Sequence, residues 1–374
     1  MRATRAYINR NNLKYNIQLI RNLSEKNTMI CLPVKADAYG HGAIEISKIA
    51  IECEVNYLAV ATVSEAEALR QDGIKKPILL LGPVLPEEIK TISELEIETV
   101  ISSEEELSRI TSIAKNPIGL HLKIDTGMGR IGCKPSEAVK LAKSINDSAK
   151  ARLCGTCTHF PVSDSSETSD IEFTKKQIKL FKNTIAAIEK ANIPHGIIHA
   201  ANSGAIINYP EAHFDMIRPG IISYGYLPGG KESLLNQDSI AKNLKPVMNF
   251  ESKLMYIKKV SKGTSISYGR LFKTTEESWI GTIPVGYADG YPRKLSNKSK
   301  VFINGKLYPV AGTVCMDQLM VNLGKNLEVK LYDKVIIFGD TEGAPSAQDL
   351  AKTAETISYE ILCGISKRVP RIII

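Results

Sequence analysis

A (β/α)8 barrel followed by a smaller, mostly β domain is the α/β architecture that this sequence predicts. Three observations carry it. The 374 residues exceed one small domain and suit a barrel of about 250 residues with a second unit attached. Eight short apolar runs alternate with helix-length segments through the first part of the chain. After residues 227–231, where Leu-Pro-Gly-Gly-Lys interrupts the pattern, the alternation gives way to successive strand-like runs.

The elements follow in order. A strand at 6–8 leads into Asn9 and Asn12, which supply capping groups for a helix over 13–23. Apolar runs at 29–34, 57–61, 78–81, 98–101, 118–124, 152–157, 196–199 and 215–217 read as buried parallel strands. Helical patterns occupy 43–51, 64–72, 104–110, 135–144 and 173–189 between them. Eight strands with intervening helical segments is the barrel count, with a doubly wound open sheet as the alternative. Beyond the linker, strand-like segments lie at 247–260, 279–285, 300–303, 307–311, 319–323 and 334–338. A late helix over 347–356 opens on Ser346 with Asp349 three residues on, a capping pair.

Composition narrows the function classes. With 43% hydrophobic and 24% charged residues the chain reads as globular. No apolar run approaches the roughly 18 residues of a membrane span, and the polar start MRATRAYINRNN lacks a signal-peptide core, so a cytoplasmic location without membrane contact is expected. The net charge of +8 comes from dispersed lysines without an aromatic-laced basic cluster, which favours an anionic small molecule over nucleic acid. Seven scattered cysteines fit a reducing compartment rather than a disulfide framework. Cys154 and Cys157 form a CxxC with no second pair to complete a zinc site, so they read as strand cysteines, and no metal is expected.

The chemistry gathers at strand ends. Lys35 closes the run 29–34, and a lysine at the dry end of a strand loses hydration, which lowers its pKa and leaves the amine able to attack a carbonyl. Arg130 lies in KIDTGMGRIG after the fifth run, His159 after the sixth, Asn202 and Ser203 after the seventh, and Arg218, Gly220 and Ile221 after the eighth. Barrel enzymes build their sites on that rim, and the loops after strands seven and eight commonly hold phosphate. Asn202-Ser203-Gly204 at a helix start and Pro219-Gly220-Ile221 fit such a cradle. A lysine, a phosphate cradle and an arginine between them point to pyridoxal phosphate, whose aldehyde bonds a lysine while the protein tunes its ring nitrogen.

The motifs VKADAYGHG, KIDTGMGRIG, HAANSGA, DMIRPGI, SYGR, GYADGYPR and GTVCMDQ stand in that order, and the chain ends on YEILCGISKRVPR. Together they resemble the alanine racemase family of pyridoxal-phosphate enzymes over nearly the whole length. That resemblance implies a barrel at 9–235, a β domain at 236–374 joined by strand 1–8, and a head-to-tail homodimer with shared active sites. It implies interconversion of L- and D-alanine by two bases, supplying D-alanine for bacterial peptidoglycan. Lys35 would hold the cofactor and serve one face of the substrate, while Tyr268 of the second subunit serves the other. Phenols titrate near pH 10, so Tyr268 needs activation, for which His159 and Arg218 are the candidates.

The same resemblance puts Arg218 at the pyridine nitrogen, His199 behind it, and Tyr39, Ser203, Gly220, Ile221 and Tyr359 around the phosphate. Arg130 would hold the substrate carboxylate, with Met316 reaching in from the partner. Lys123 matches a lysine that can be carbamylated and orient that arginine. Tyr287, Asp289 and Arg293 would line the access corridor. Thr313 departs from the arginine frequent there in the family, and the loop after His159 reads FPVSD. Alternative readings are a racemase of another small amino acid such as serine, a barrel-type decarboxylase of the same architecture, and a non-catalytic pyridoxal-phosphate carrier.

Overall fold

The computed structural model of the chain describes residues 2–229, 240 and 243–374. Residues 230 and 231 of the expected linker, and the expected boundary between 235 and 236, lie outside the described residues. Strand β1 (Arg5–Ile8) comes first. The strands β2 (Met29–Pro33), β3 (Tyr57–Val60), β4 (Ile78–Leu80), β5 (Ile97–Ile101), β6 (Ile118–Lys123), β7 (Ala151–Cys157), β8 (Ile197–His199) and β9 (Met216–Ile217) then form a closed barrel. All are parallel, and β2 pairs with β9 through Met29↔Met216 and Ile30↔Ile217 to close it. The open-sheet alternative is therefore excluded.

Alternation along the strands sorts the side chains. Leu32, Leu58, Leu80, Leu120 and Leu122 join the large core shared with the outer helices, while Cys31, Tyr57, Ala59, Leu79, Val100, Cys157 and Met216 fill the barrel interior. On β6 the inward set is Gly119, His121 and Lys123, so two ionisable groups share the interior with that apolar cluster. Cys157 is buried and Cys154 half-buried, and all seven cysteines are unpaired.

Capping reads out as expected at several ends. Asn9 accepts from Asn12 N to open the helix Arg10–Asn22, and Ser346 and Asp349 form a reciprocal capping box on Ala347–Ala354. One expected strand, 247–260, is two: β10 (Met248–Lys253) and β11 (Tyr256–Val260). At the break, Leu254 N donates to Asp333 O while Met255 N donates to Thr282 O, so adjacent residues turn to different sheets. β10 lies in a six-stranded sheet beside β1, and β1 also pairs in parallel with Arg371–Ile373. β11 edges a three-stranded sheet with Ser278–Ile283 and Leu319–Gly324. Among the described residues no helix is long and apolar enough to cross a membrane.

The helix Arg10–Asn22 ties barrel to β domain through Asn16, which is fully buried. Its amide donates to Ser223 O and Lys245 O, and its carbonyl accepts from Lys245 N. Asn16→Ala leaves those backbone groups buried and unpaired, which costs roughly 2–4 kcal/mol. Urea unfolding should show the midpoint falling with the denaturant slope unchanged.

Candidate active site

After β2 the chain turns the wrong way. Ala36, Asp37, Ala38 and Tyr39 all have φ near +54°, a single left-handed turn over Lys35–Tyr39 that no glycine relieves. Carboxylates hold it: Glu65 accepts from Ala36 N and Ala61 N, and Asp37 accepts from Ala43 N. Glu65 also closes the capping box that starts Val63–Gln71, so one side chain fixes a helix and the turn together. Gly40 follows at φ +82°, and a Cβ there would sit 2.2 Å from Leu362 O. Arg371 Nε donates to Gly40 O, which clamps the turn to the β domain's end.

The turn sets Lys35 half-buried on the rim. Burial, and then the positive charge of Arg130, lower its pKa, with Glu65 opposing. The same turn points Tyr39 inward, where it stacks on Tyr224 at 4.9 Å and meets Tyr359 at 5.8 Å. Ser203 Oγ accepts from Gly220 N at 2.9 Å. A Cβ on Gly220 would lie 2.9 Å from the Tyr39 hydroxyl and 3.5 Å from Ser203 Oγ. Tyr39, Ser203 and Gly220 thus surround a space that only glycine keeps open, with Ile221 opening the next short helix. Asn202 is used differently: its carbonyl accepts from Ala205 N and Ser163 Oγ while its amide donates to Phe160 O, so it shapes the cradle rather than facing into it.

Arg218 follows β9 and is buried. It donates to His199 Nδ1 at 2.6 Å, to Thr158 O and Ala200 O at 2.8 Å, and to His159 Nδ1 at 3.3 Å. A guanidinium only donates, so the facing nitrogens of His159 and His199 carry lone pairs. Burial and then nearby cations hold both histidines well below their usual pKa; His159 is pushed by Lys123 ahead of Arg218, and His199 by Arg218 first. Lys123, at the end of β6, is pushed down to about 8 by burial foremost, with Arg218 and Arg130 adding and Cys157 opposing. Arg130 is exposed, on a loop where Asp125 accepts from Gly127 N and Gly129 N.

The remaining expected residues lie on the β domain. Tyr268, Tyr287, Arg293 and Met316 line one cavity of about 600 Å³ with residues 313–318, without a barrel residue among its walls. Tyr268 is 72% exposed and Met316 53%. Ser267 is forced to φ +67°, and Thr313 Oγ1 donates to Tyr268 O at 2.7 Å, so the departing threonine fixes the tyrosine's turn. Asp289 is fully buried, bound to Arg2 and Arg368 and accepting from Gly286 N, so it braces the Tyr287 turn from behind. Sequence reasoning missed Glu65, whose signal was a Thr-x-x-Glu capping pattern at 62–65, and missed the bond by which Thr313 holds the Tyr268 turn, whose signal was a hydroxyl next to the CMDQ loop.

A lysine on the rim of a parallel barrel, a tyrosine-serine-glycine cradle and a buried arginine, joined to a β domain bearing an exposed tyrosine, place the chain in the barrel-plus-β-domain class of enzymes. The family models for the alanine racemase N-terminal and C-terminal domains match residues 8–228 and 247–373. The chain is 48% identical over 382 residues to an alanine racemase of Treponema denticola, covering 100% of this chain and 99% of that protein. Its identity to one from Treponema pallidum subsp. pallidum is 42%, covering 100% of both. The solved alanine racemase of Clostridium difficile 630 superposes with TM-score 0.92 at 39% identity, over 100% of this chain and 96% of that one. One from Bacillus anthracis, solved with bound L-Ala-P, gives 0.91 at 34%, over 100% and 95%. The chain belongs to the alanine racemase family.

Lys123 supplies a pH test. Between about pH 8 and its ordinary value of 10.5 the folded chain binds fewer protons at this amine than the unfolded chain does. This group therefore makes stability rise with pH across that window. In carbonate-free buffer, urea unfolding at pH 7.5 and 9.5 should show Lys123→Met removing that part of the rise.

Proposed function

We propose that the protein interconverts L- and D-alanine with pyridoxal 5'-phosphate, using Lys35 on one face of the substrate and Tyr268 of a second copy of the chain on the other. The observation that carries this reading is the convergence of a half-dry lysine, a glycine-kept cradle and a buried guanidinium on one rim. The cofactor would be held by Lys35, with Tyr39, Ser203, Gly220, Ile221 and Tyr359 around its phosphate, Arg218 and His159 at its ring, and Asn202 holding the cradle's shape. When bound, it delocalises the electron pair left by the departing α-proton and so acidifies that bond.

The chain's own groups do the rest. Lys35 Nζ, desolvated and beside Arg130, is disposed to give up a proton and so to act as a base. Racemisation needs the proton removed from one face and replaced on the other. One base would return it to the face it left. The β-domain cavity that carries Tyr268 has no barrel residue in its wall, which supports a head-to-tail homodimer in which each copy completes the other's site. Arg218 remains protonated and would donate to the ring nitrogen, which weakens the electron sink and limits side reactions. Arg130 would bind the substrate carboxylate as a fork, oriented by Lys123 once carbamylated, and Met316 would reach in from the partner. The lowered pKa of Lys123 supports that modification, since only a neutral amine attacks carbon dioxide. Tyr287 and Arg293, backed by Asp289, would filter substrates in the access corridor. D-Alanine made in the cytoplasm would feed peptidoglycan.

An amino-acid panel followed by loss of optical activity tests reaction and substrate together; alanine should lead, and release of carbon dioxide would overturn the reading. Lys35→Ala should remove the lysine-dependent absorbance of bound cofactor and lower kcat by about 10³-fold. Tyr268→Phe should slow α-hydrogen exchange from one enantiomer far more than from the other, and equal slowing would overturn the two-base scheme.

A further inference from the structure

The barrel interior holds a second polar feature that the proposed chemistry does not use. Behind Arg218, His199 Nε2 lies 2.8 Å from His121 Nδ1, and His121 Nε2 lies 2.8 Å from Glu98 Oε2. Both histidines are fully buried, and the glutamate side chain is 15% exposed. Glu98 is the second residue of β5, His121 the fourth of β6, His199 the last of β8, and Arg218 follows β9. The four side chains therefore run through the barrel from its lower end to its catalytic rim.

Space is reserved for this line. A Cβ on Gly155, paired with His121 across β6 and β7, would fall 2.4 Å from His121 Nδ1. A Cβ on Gly119 would fall 2.8 Å from Glu98 Cγ. Glycine inside a strand weakens it and marks a close approach, and here two glycines yield room to two members of one chain of bonds.

The protons in that chain have one consistent arrangement. Arg218 only donates, so His199 Nδ1 must accept. A neutral His199 then carries its proton on Nε2 and donates to His121 Nδ1, and His121 Nε2–H donates to Glu98. A charged His121 would place a proton on Nδ1 against the proton of His199 Nε2. Every bond therefore points from guanidinium to carboxylate. Among the described residues Arg218 donates to two carbonyls and two histidines and to no carboxylate, and the relay ends on one.

We propose that Glu98 and His121 are positioning residues: through two neutral histidines of fixed tautomer they lock the Arg218 guanidinium and supply its distant counter-charge. The inference rests on the reading of Arg218 as the group facing the cofactor ring. Replacing the acceptor should release the His121 proton, let His199 change tautomer and loosen the guanidinium, while substrate binding at Arg130 is untouched.

The test begins on the unmodified chain. With 15N-labelled histidine and no cofactor, ring-nitrogen shifts should show both His121 and His199 protonated at Nε2 and bare at Nδ1; a proton on Nδ1 of either overturns the relay. In the loaded enzyme Glu98→Leu should lower kcat about tenfold with KM for alanine within about twofold, the loss of one network hydrogen bond. Glu98→Gln, whose amide oxygen still accepts from His121, should recover most of that loss. Equal rates in all three proteins, equal loss in Leu and Gln variants, or a loss carried by KM would overturn the positioning role. Failure of the functional reading is distinguishable, because it appears as no racemisation by the unmodified protein whatever the tautomers.

Discussion

The left-handed turn at residues 36–39 is the constraint on which the rest of the site depends. Each such residue costs roughly 1–2 kcal/mol, and the turn persists because its surroundings over-determine it. Glu65 and Asp37 accept its backbone donors, Gly40 fits beneath Leu362, and Arg371 grips the carbonyl behind it. The result is geometric: Lys35 stays on the rim while Tyr39, four residues on, is driven inward to the cradle. A right-handed turn at the same place would not present the two side chains in that way. Because Leu362 and Arg371 come from the end of the chain, the shape of the first rim loop requires that the β domain be folded against it.

A second constraint is the buried charge of Arg218. A guanidinium inside a barrel is expensive unless its donors are met. Two carbonyls and two histidine nitrogens meet them here. Burial and these cations in turn keep His159 and His199 neutral, so the arginine and the histidines each stabilise the other's protonation state. Lys123 shares this dry interior, and burial first, then the charges of Arg218 and Arg130, lower the pKa of its amine. The electrostatics of the rim are thus set by which groups share a dry interior.

The barrel rim and the β-domain cavity differ in character. On the barrel Tyr39, Ser203 and Arg218 are buried, whereas Tyr268 and Met316 stand exposed on the β domain. Thr313, Asp289, Arg2 and Arg368 hold that exposed edge in shape from behind.

Much of this was legible in the chain itself. Strands buried on both faces show as unbroken apolar runs, so β2 to β9 and their order could be read to within a residue or two, as could the caps at Asn9 and Ser346. Rim residues follow strand ends, which placed Lys35, His159, Ser203 and Arg218. The break at Leu254 was hidden because both flanking strands are similar in composition and part only to satisfy two different sheets. The left-handed turn was hidden because Ala-Asp-Ala-Tyr has no local preference for it. The Glu98–His121–His199 line was hidden too, since residues 78 apart in sequence meet only when β6 and β8 turn their side chains into the same barrel interior. Periodicity and turn chemistry are local and determined the elements and their chemistry-bearing ends; strain, protonation and shared burial depend on contacts between distant segments, and those only the tertiary structure decided.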